Sequence, residues 1–138
     1  MSPSELTRQP TAVRLLTVLA WMGLIFALSS RSKLPRPPGL GPDLVGIAGH
    51  FTVYGVLAAL LWWALPARTS EQWQRFALAL AVSVAYGVSD EWHQSFVPGR
   101  DPALFDLGVD ALGAATTLVV LRLGCVFKRA TRAGWQRG

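Results

Sequence analysis

Apolar residues gather into four segments separated by short polar stretches rich in Pro and Gly. The first, about 12–30, carries one charge near its start, Arg14, whose long side chain can snorkel to the surface. The second, 44–65, follows Asp43, a residue type that caps helices, and closes on Trp62 and Trp63. The third, 74–96, opens at Trp73, and the fourth, 102–123, follows an Asp101-Pro102 pair that reads as an N-cap with Pro at the first helical position. Each segment is apolar on every face rather than along one stripe, which is the pattern of helices in lipid. The fold expected is therefore all-α, an integral membrane bundle of four transmembrane helices with short loops. A polar N-terminal tail (1–11) and a basic C-terminal tail (124–138) flank the membrane domain (12–123).

Span lengths place the polar residues. The purely apolar part of the third segment, Phe76 to Val88, covers about 20 Å as a helix, too short for ~30 Å of hydrocarbon. The crossing is complete only if the helix continues through Asp90, Glu91, His93 and Gln94. The fourth segment is long enough only if Asp106 and Asp110 lie inside it. His50 falls at a similar depth in the second. Three helices thus bring polar groups into one layer, and small residues (Gly87, Gly108, Gly113 and Ala114) would permit the close packing such a layer needs. Trp62, Trp63 and Trp73 read as interfacial anchors.

Composition narrows the class. Half of the residues are hydrophobic, 15% are charged, and the net charge is +5. The basic residues are scattered through connectors and tail, which suits loops beside a membrane and gives no nucleic-acid face. With four crossings, one side holds Arg8, Arg14, Arg68, Arg75, Arg122, Lys128, Arg129, Arg132 and Arg137, and the other Arg31, Lys33, Arg36 and Arg100. The imbalance puts both termini in the cytoplasm and the polar layer outward. The first segment also fits a signal peptide, with a basic start, an apolar core and Ala27 to Ser30, but the spans that follow favour a retained helix. Cys125 is the single cysteine and reads as a small apolar residue. No motif specifies an oligomer, although four short helices bury little surface and leave room for a homo-oligomer.

Ionisable groups are rare and costly inside membranes. Of the chain's 8 carboxylates, Asp90, Glu91, Asp101, Asp106 and Asp110 fall within one short region, together with His93. Glu91 and His93, with Asp90, are the candidate catalytic groups, because a carboxylate and an imidazole in a low-dielectric site suit acid/base work. The same residues could instead be a hydrogen-bonded network tying helices together. Arg100, Gln94, Asp106, Asp110, His50 and Tyr54 are candidate binding residues. Arg100, after the Pro98-Gly99 turn, could clamp a phosphate or carboxylate, or could pair with Asp101, Asp106 or Asp90. The His and carboxylate set has metal-ligand chemistry, yet no spacing such as His-Glu-x-x-His is present, so no metal and no cofactor is expected. No serine or cysteine stands in a nucleophile motif.

The stretch SDEWHQSFVPGR from Ser89 to Arg100, followed by Asp106, Asp110 and Gly113, resembles the signature of the VanZ-like family. Ile25 to Ser30 and the His50 to Tyr54 pattern are similar to it as well. A lysine is usual in that family three residues before the histidine, where this chain has Ile47, and a serine is common where it has Ala103. Any role of that lysine is therefore out of reach here. The resemblance implies a small, multi-pass protein of the bacterial cytoplasmic membrane, associated with low-level resistance to the glycopeptide teicoplanin. The resemblance supplies a context but no chemistry; with membrane lipids as surroundings, the reading of the residues is a non-enzymatic envelope protein that binds a lipid-linked cell-wall precursor, an anionic lipid or a glycopeptide at the outward polar layer. The alternative is an enzyme acting on a lipid phosphate or acyl headgroup.

Overall fold

The computed structural model describes residues 11–32, 42–65, 72–100 and 103–135, with residues 42–43 and 128–135 described as backbone only. Asp101 and Pro102, the expected cap of the fourth helix, lie outside them. Four helices form: α1 (Thr11–Ser29), α2 (Pro42–Ala64), α3 (Gln72–Gln94) and α4 (Leu104–Trp135). There is no strand among the described residues. α2 begins at Pro42, so Asp43 stands in its first turn rather than before it. α4 runs on past Leu123 to Trp135, so the segment expected to be a tail is helical through that point. α3 ends at Gln94, two residues earlier than the span arithmetic places it, because the chain tightens there into turns. Phe96 N–H donates to the His93 carbonyl and Val97 N–H to that of Gln94.

Three helices are long and apolar enough to cross a membrane: α1, the part of α2 from Leu44 to Ala64, and α4 from Leu104 to Phe127. α3 has the length but not the composition, because Arg75, Asp90 and Glu91 lie within it.

The helices run alternately up and down. The start of α1 meets the end of α2, where Arg14 donates to the Trp63 carbonyl at 3.2 Å, and Arg75 near the start of α3 donates to the Trp62 carbonyl. The contact of α2 with α4 is the most extensive in the bundle, while α1 rests on α2 and, lightly, on α3. The core between them holds Val18, Ile25, Tyr54, Leu57, Ala58, Leu61, Trp62, Ala79, Ala114 and Leu118. Trp62 is thus a core residue beneath Arg75 and not an interfacial anchor; Trp73 is exposed, as an anchor would be.

Outward faces are apolar too: Leu15, Leu16, Leu19, Leu112, Val120 and Leu123 are all exposed. Water would penalise that surface at roughly 25 cal/mol per Å², and lipid would not. Cross-helix polar bonds pin the packing in place. The Trp21 indole N–H donates to the Val53 carbonyl at 3.0 Å, and the Tyr86 hydroxyl to the Met22 carbonyl at 2.6 Å.

Candidate functional site

The close approach of α2 to α4 comes from two glycines. A Cβ on Gly113 would overlap the Phe51 carbonyl oxygen, and one on Gly55 would stand 2.8 Å from Thr117 Oγ1. Gly87 of α3 fits closely as well, since a Cβ there would meet Leu107 Cδ1 at 3.0 Å and Asp110 Oδ2 at 3.5 Å. Gly108, expected to share this role, is exposed with nothing within 4 Å of a Cβ. It faces away from the seam. The short α2–α4 distance sets what happens one turn further along, at His50 and Asp110.

There His50 Nδ1 lies 2.9 Å from Asp110 Oδ1 and His50 Nε2 lies 3.9 Å from Asp106 Oδ2. Asp110 is 1% exposed. From α3, Glu91 reaches across to the start of α4, and its Oε2 accepts the Ala103 N–H at 3.0 Å. That N–H has no partner of its own within α4, so Glu91 caps a helix to which it does not belong, at the positive end of the helix dipole. One donor atom from each of His50, Glu91 and Asp110 falls within 4.8 Å of the others. Glu91 Oε1, Asp110 Oδ2 and the Tyr54 hydroxyl are buried without a hydrogen-bond partner. Leaving such groups unmade costs about 1–3 kcal/mol each.

A second polar seam joins α3 to α1. Asp90, 4% exposed, accepts from Ser29 Oγ at 2.8 Å and from Gln94 Nε2 at 3.1 Å. His93 Nε2 stands 3.0 Å from Ser30 Oγ, and its ring stacks on Phe26 with centroids 4.3 Å apart. Arg100 donates from Nε to the Arg31 carbonyl at 3.0 Å and from a terminal nitrogen to the Leu28 carbonyl at 3.5 Å. These are carbonyls at the end of α1, where the helical ladder runs out; that of Leu28 also accepts the Arg31 N–H at 3.1 Å. The loop that delivers Arg100 is a turn closed by Arg100 N–H on the Val97 carbonyl at 3.1 Å, with Gly99 at φ 78° after Pro98. Pro then Gly at the two central positions is the type II arrangement, which needs a positive φ at the second.

All nine candidate residues therefore lie at one end of the bundle, but in two groups. His50, Glu91, Asp106 and Asp110 form one, and Tyr54 lies beneath both groups, near Asp110 and near Asp90. Asp90, His93 and Gln94 form the other with Ser29 and Ser30, and Arg100 lies beside it. Glu91 and His93 face different helices, and no hydrogen bond joins them among the described residues; the imidazole that Glu91 meets is His50. Among the described residues Arg100 engages backbone carbonyls and neither Asp90 nor Asp106; the Asp101 alternative lies outside them. Gly55 escaped sequence reasoning, and Ser29 and Ser30 entered it only within the Ile25 to Ser30 resemblance, not as site residues. The two serines end an apolar segment and look like ordinary helix-end residues, and no chain spacing links them to α3. Of the histidines and carboxylates with metal-ligand chemistry, the structure brings His50, Glu91 and Asp110 together, a selection that chain spacing did not make because each comes from a different helix.

Trp92, Phe96, Leu104 and Phe105 rim this end and are exposed, with Trp92 and Phe96 packed edge to face at 5.3 Å. Aromatic residues beside charged ones are what a membrane–water boundary selects. An all-helical chain with three helices apolar enough to cross a bilayer and an acidic, histidine-bearing layer at one end is a membrane protein. The family model VanZ/LLP1 matches residues 4–127, nearly the whole chain, so the chain belongs to the VanZ-like family. No curated protein and no solved structure matches it.

Proposed function

We propose that the chain is a multi-pass protein of the bacterial cytoplasmic membrane that binds the polar part of an amphiphilic envelope compound, and so lowers sensitivity to glycopeptides of the teicoplanin type. In this reading α3 is the fourth crossing. Its charged groups are tolerated because Asp90 and Glu91 are turned onto α1 and α4 and Arg75 lies over the Trp62 ring. The count of basic residues puts both termini in the cytoplasm and the acidic layer outward.

One observation carries the reading. The layer drawn from α2, α3 and α4 keeps unfilled acceptors, Glu91 Oε1 and Asp110 Oδ2, beside the Tyr54 hydroxyl. Unfilled buried acceptors favour a ligand that brings donors: hydroxyl, amide or ammonium groups of a lipid-linked precursor or of a glycopeptide. A bare anionic headgroup fits less well, because the arginine that would have clamped it is spent on the carbonyls of α1. In a teicoplanin-susceptible host, expression of the native chain should raise the inhibitory concentration several-fold, and Glu91→Gln at equal membrane abundance should not. Equal protection by both chains would overturn the proposal. Orientation is tested by thiol labelling of a cysteine placed at Gly99 in a Cys125→Ala background, and labelling from the cytoplasmic side alone would sink the outward assignment.

The His50–Asp110 pair favours a second reading, an enzyme acting on a lipid phosphate or acyl headgroup. A carboxylate at one ring nitrogen fixes the imidazole tautomer and leaves the other nitrogen to take a proton from water. Glu91 would be the second carboxylate, and His93 takes no part. Release of phosphate or fatty acid from a supplied lipid by the purified chain, lost in His50→Gln, would replace the binding reading with this one.

A further inference from the structure

The geometry points to a divalent cation site formed by His50, Glu91 and Asp110, for an ion of the Mn²⁺ to Zn²⁺ class. This goes beyond the binding role proposed above; it draws on the same open carboxylate oxygens, so with the ion in place a ligand would be held through the ion rather than by those oxygens directly.

The donors come from three helices and converge where the packing holds them. Asp110 Oδ1 and His50 Nδ1 are 2.9 Å apart, a separation that two donors on one ion also show. Glu91 is fixed by its bond to Ala103 N–H through Oε2, which leaves Oε1 free. One donor from each residue lies within 4.8 Å of the others. Bonds of about 2.0–2.2 Å to an ion put its ligands roughly 3–4 Å apart, so the widest-spaced donors need to approach by about 1–2 Å.

Two further observations point to a ligand. Asp110 is 1% exposed, yet its Oδ2 has no partner, and Glu91 Oε1 has none either. Buried carboxylate oxygens left open are costly unless a cation or a donor fills them. Among the described residues their carboxylates pair with no lysine or arginine, and the ion pairs of this layer all run through His50. A single imidazole with carboxylates is a mixed donor set, which suits Mn²⁺, Fe²⁺ or Zn²⁺ better than an all-oxygen Ca²⁺ cage. With Nδ1 on the ion, His50 Nε2 has Asp106 as its nearest carboxylate at 3.9 Å, which would need to close by about 1 Å to take the outer position that orients metal-bound histidines. A bound ion would also reverse the charge logic of the layer, letting it accept a phosphate or carboxylate oxygen that Arg100 is not placed to hold.

The test uses the full chain in lipid nanodiscs, stripped with a chelator and then titrated separately with Zn²⁺, Mn²⁺ and Mg²⁺. Bound metal is counted by mass spectrometry and the melting temperature is followed. The expected result is one Zn²⁺ or Mn²⁺ per chain with a raised melting temperature, and weaker retention of Mg²⁺. Glu91→Gln should weaken retention at least tenfold while still melting cooperatively, and Asp106→Asn should weaken it less. Should Glu91→Gln fail to fold, His50→Gln provides the same comparison, and the Mn²⁺ electron paramagnetic resonance spectrum of the native chain should show nitrogen coupling from the imidazole. Absence of a stoichiometric ion, or retention unchanged in the variants, overturns the site. Loss of antibiotic protection in cells with metal binding intact would overturn the proposed function and leave the site standing.

Discussion

The two ends of the bundle solve the same problem differently. At one end Arg14 lies 5.3 Å from the Trp63 ring centre, Arg75 4.3 Å from that of Trp62, and Arg122 3.4 Å from that of Trp73. Arg14 and Arg75 also donate to the last carbonyls of α2, where the helix dipole is negative. Each guanidinium keeps an Nε hydrogen without an acceptor, but a delocalised, weakly hydrated cation over a ring face tolerates that. At the other end the charge sits on carboxylates, whose open lone pairs have no such substitute. Glu91 Oε1 and Asp110 Oδ2 are left facing each other's helices around His50. The arginine end is closed on itself and reads as an anchor. The acidic end is closed in space but open in hydrogen bonding, which is how a site differs from a girdle.

The largest test of this contrast is at Gly113. Its Cβ position overlaps the Phe51 carbonyl, so Gly113→Leu must push α4 off α2 and with it Asp110 from His50. Overpacking of this kind costs about 3 kcal/mol, read as a lower melting temperature in detergent. Gly108→Leu, in the same helix with open space around it, should leave the melting curve nearly unchanged. Similar losses for both would mean that the α2–α4 approach is not what holds the acidic end together.

Next comes a matched pair of charge deletions. Asp110→Asn removes the partner of His50 inside a 1% exposed position and should cost about 3 kcal/mol. Arg75→Met, which keeps most of the stem over Trp62, should cost about 1 kcal/mol. Equal losses would erase the distinction between a closed end and an open one.

Much of this arrangement was legible before any coordinates. Four apolar segments gave α1 to α4, and length arithmetic moved Asp90, Glu91, Asp106 and Asp110 from an apparent loop into helices at the depth of His50. What the arithmetic lacks is rotation about each axis. Helical spacing alone offers two adjacent stripes on α3, one with Tyr86, Asp90 and His93 and one with Gly87, Glu91 and Gln94, and the structure merges them. The buried line is Ala79, Ser83, Gly87, Asp90 and Gln94, with Glu91 and His93 on its two flanks. That rotation is set by which neighbours α3 meets, and so by Gly87 against Leu107 and Tyr86 against Met22, contacts with no signal in local periodicity. The same reason hid the partner of Ser29, which the family resemblance includes but which meets Asp90 only once α3 lies beside α1. The extension of α4 to Trp135 was missed because basic residues in its last turns read as a tail, although cations are favoured at a helix C-terminus.

The smallest expected effect separates two roles for Arg100. Its guanidinium satisfies the Arg31 and Leu28 carbonyls, and the Pro98-Gly99 turn is what brings it there. A capping arginine, half-exposed, contributes the net value of its hydrogen bonds, so Arg100→Ala should cost about 1 kcal/mol of stability. Arg100→Lys should recover part of it, since an ammonium reaches one carbonyl but lacks the fork that spans two. An anion clamp predicts the opposite order: small stability changes and a large loss of affinity for a phosphate-bearing lipid in both variants. Asp90 Oδ1 is an open buried acceptor on the α1 side, but the His50, Glu91 and Asp110 donors stand between α2, α3 and α4, so removal of the guanidinium should leave metal retention and glycopeptide protection within about twofold of native. A tenfold loss of either would mean that the two polar groups of this end act as one site and that the division between them is only geometric.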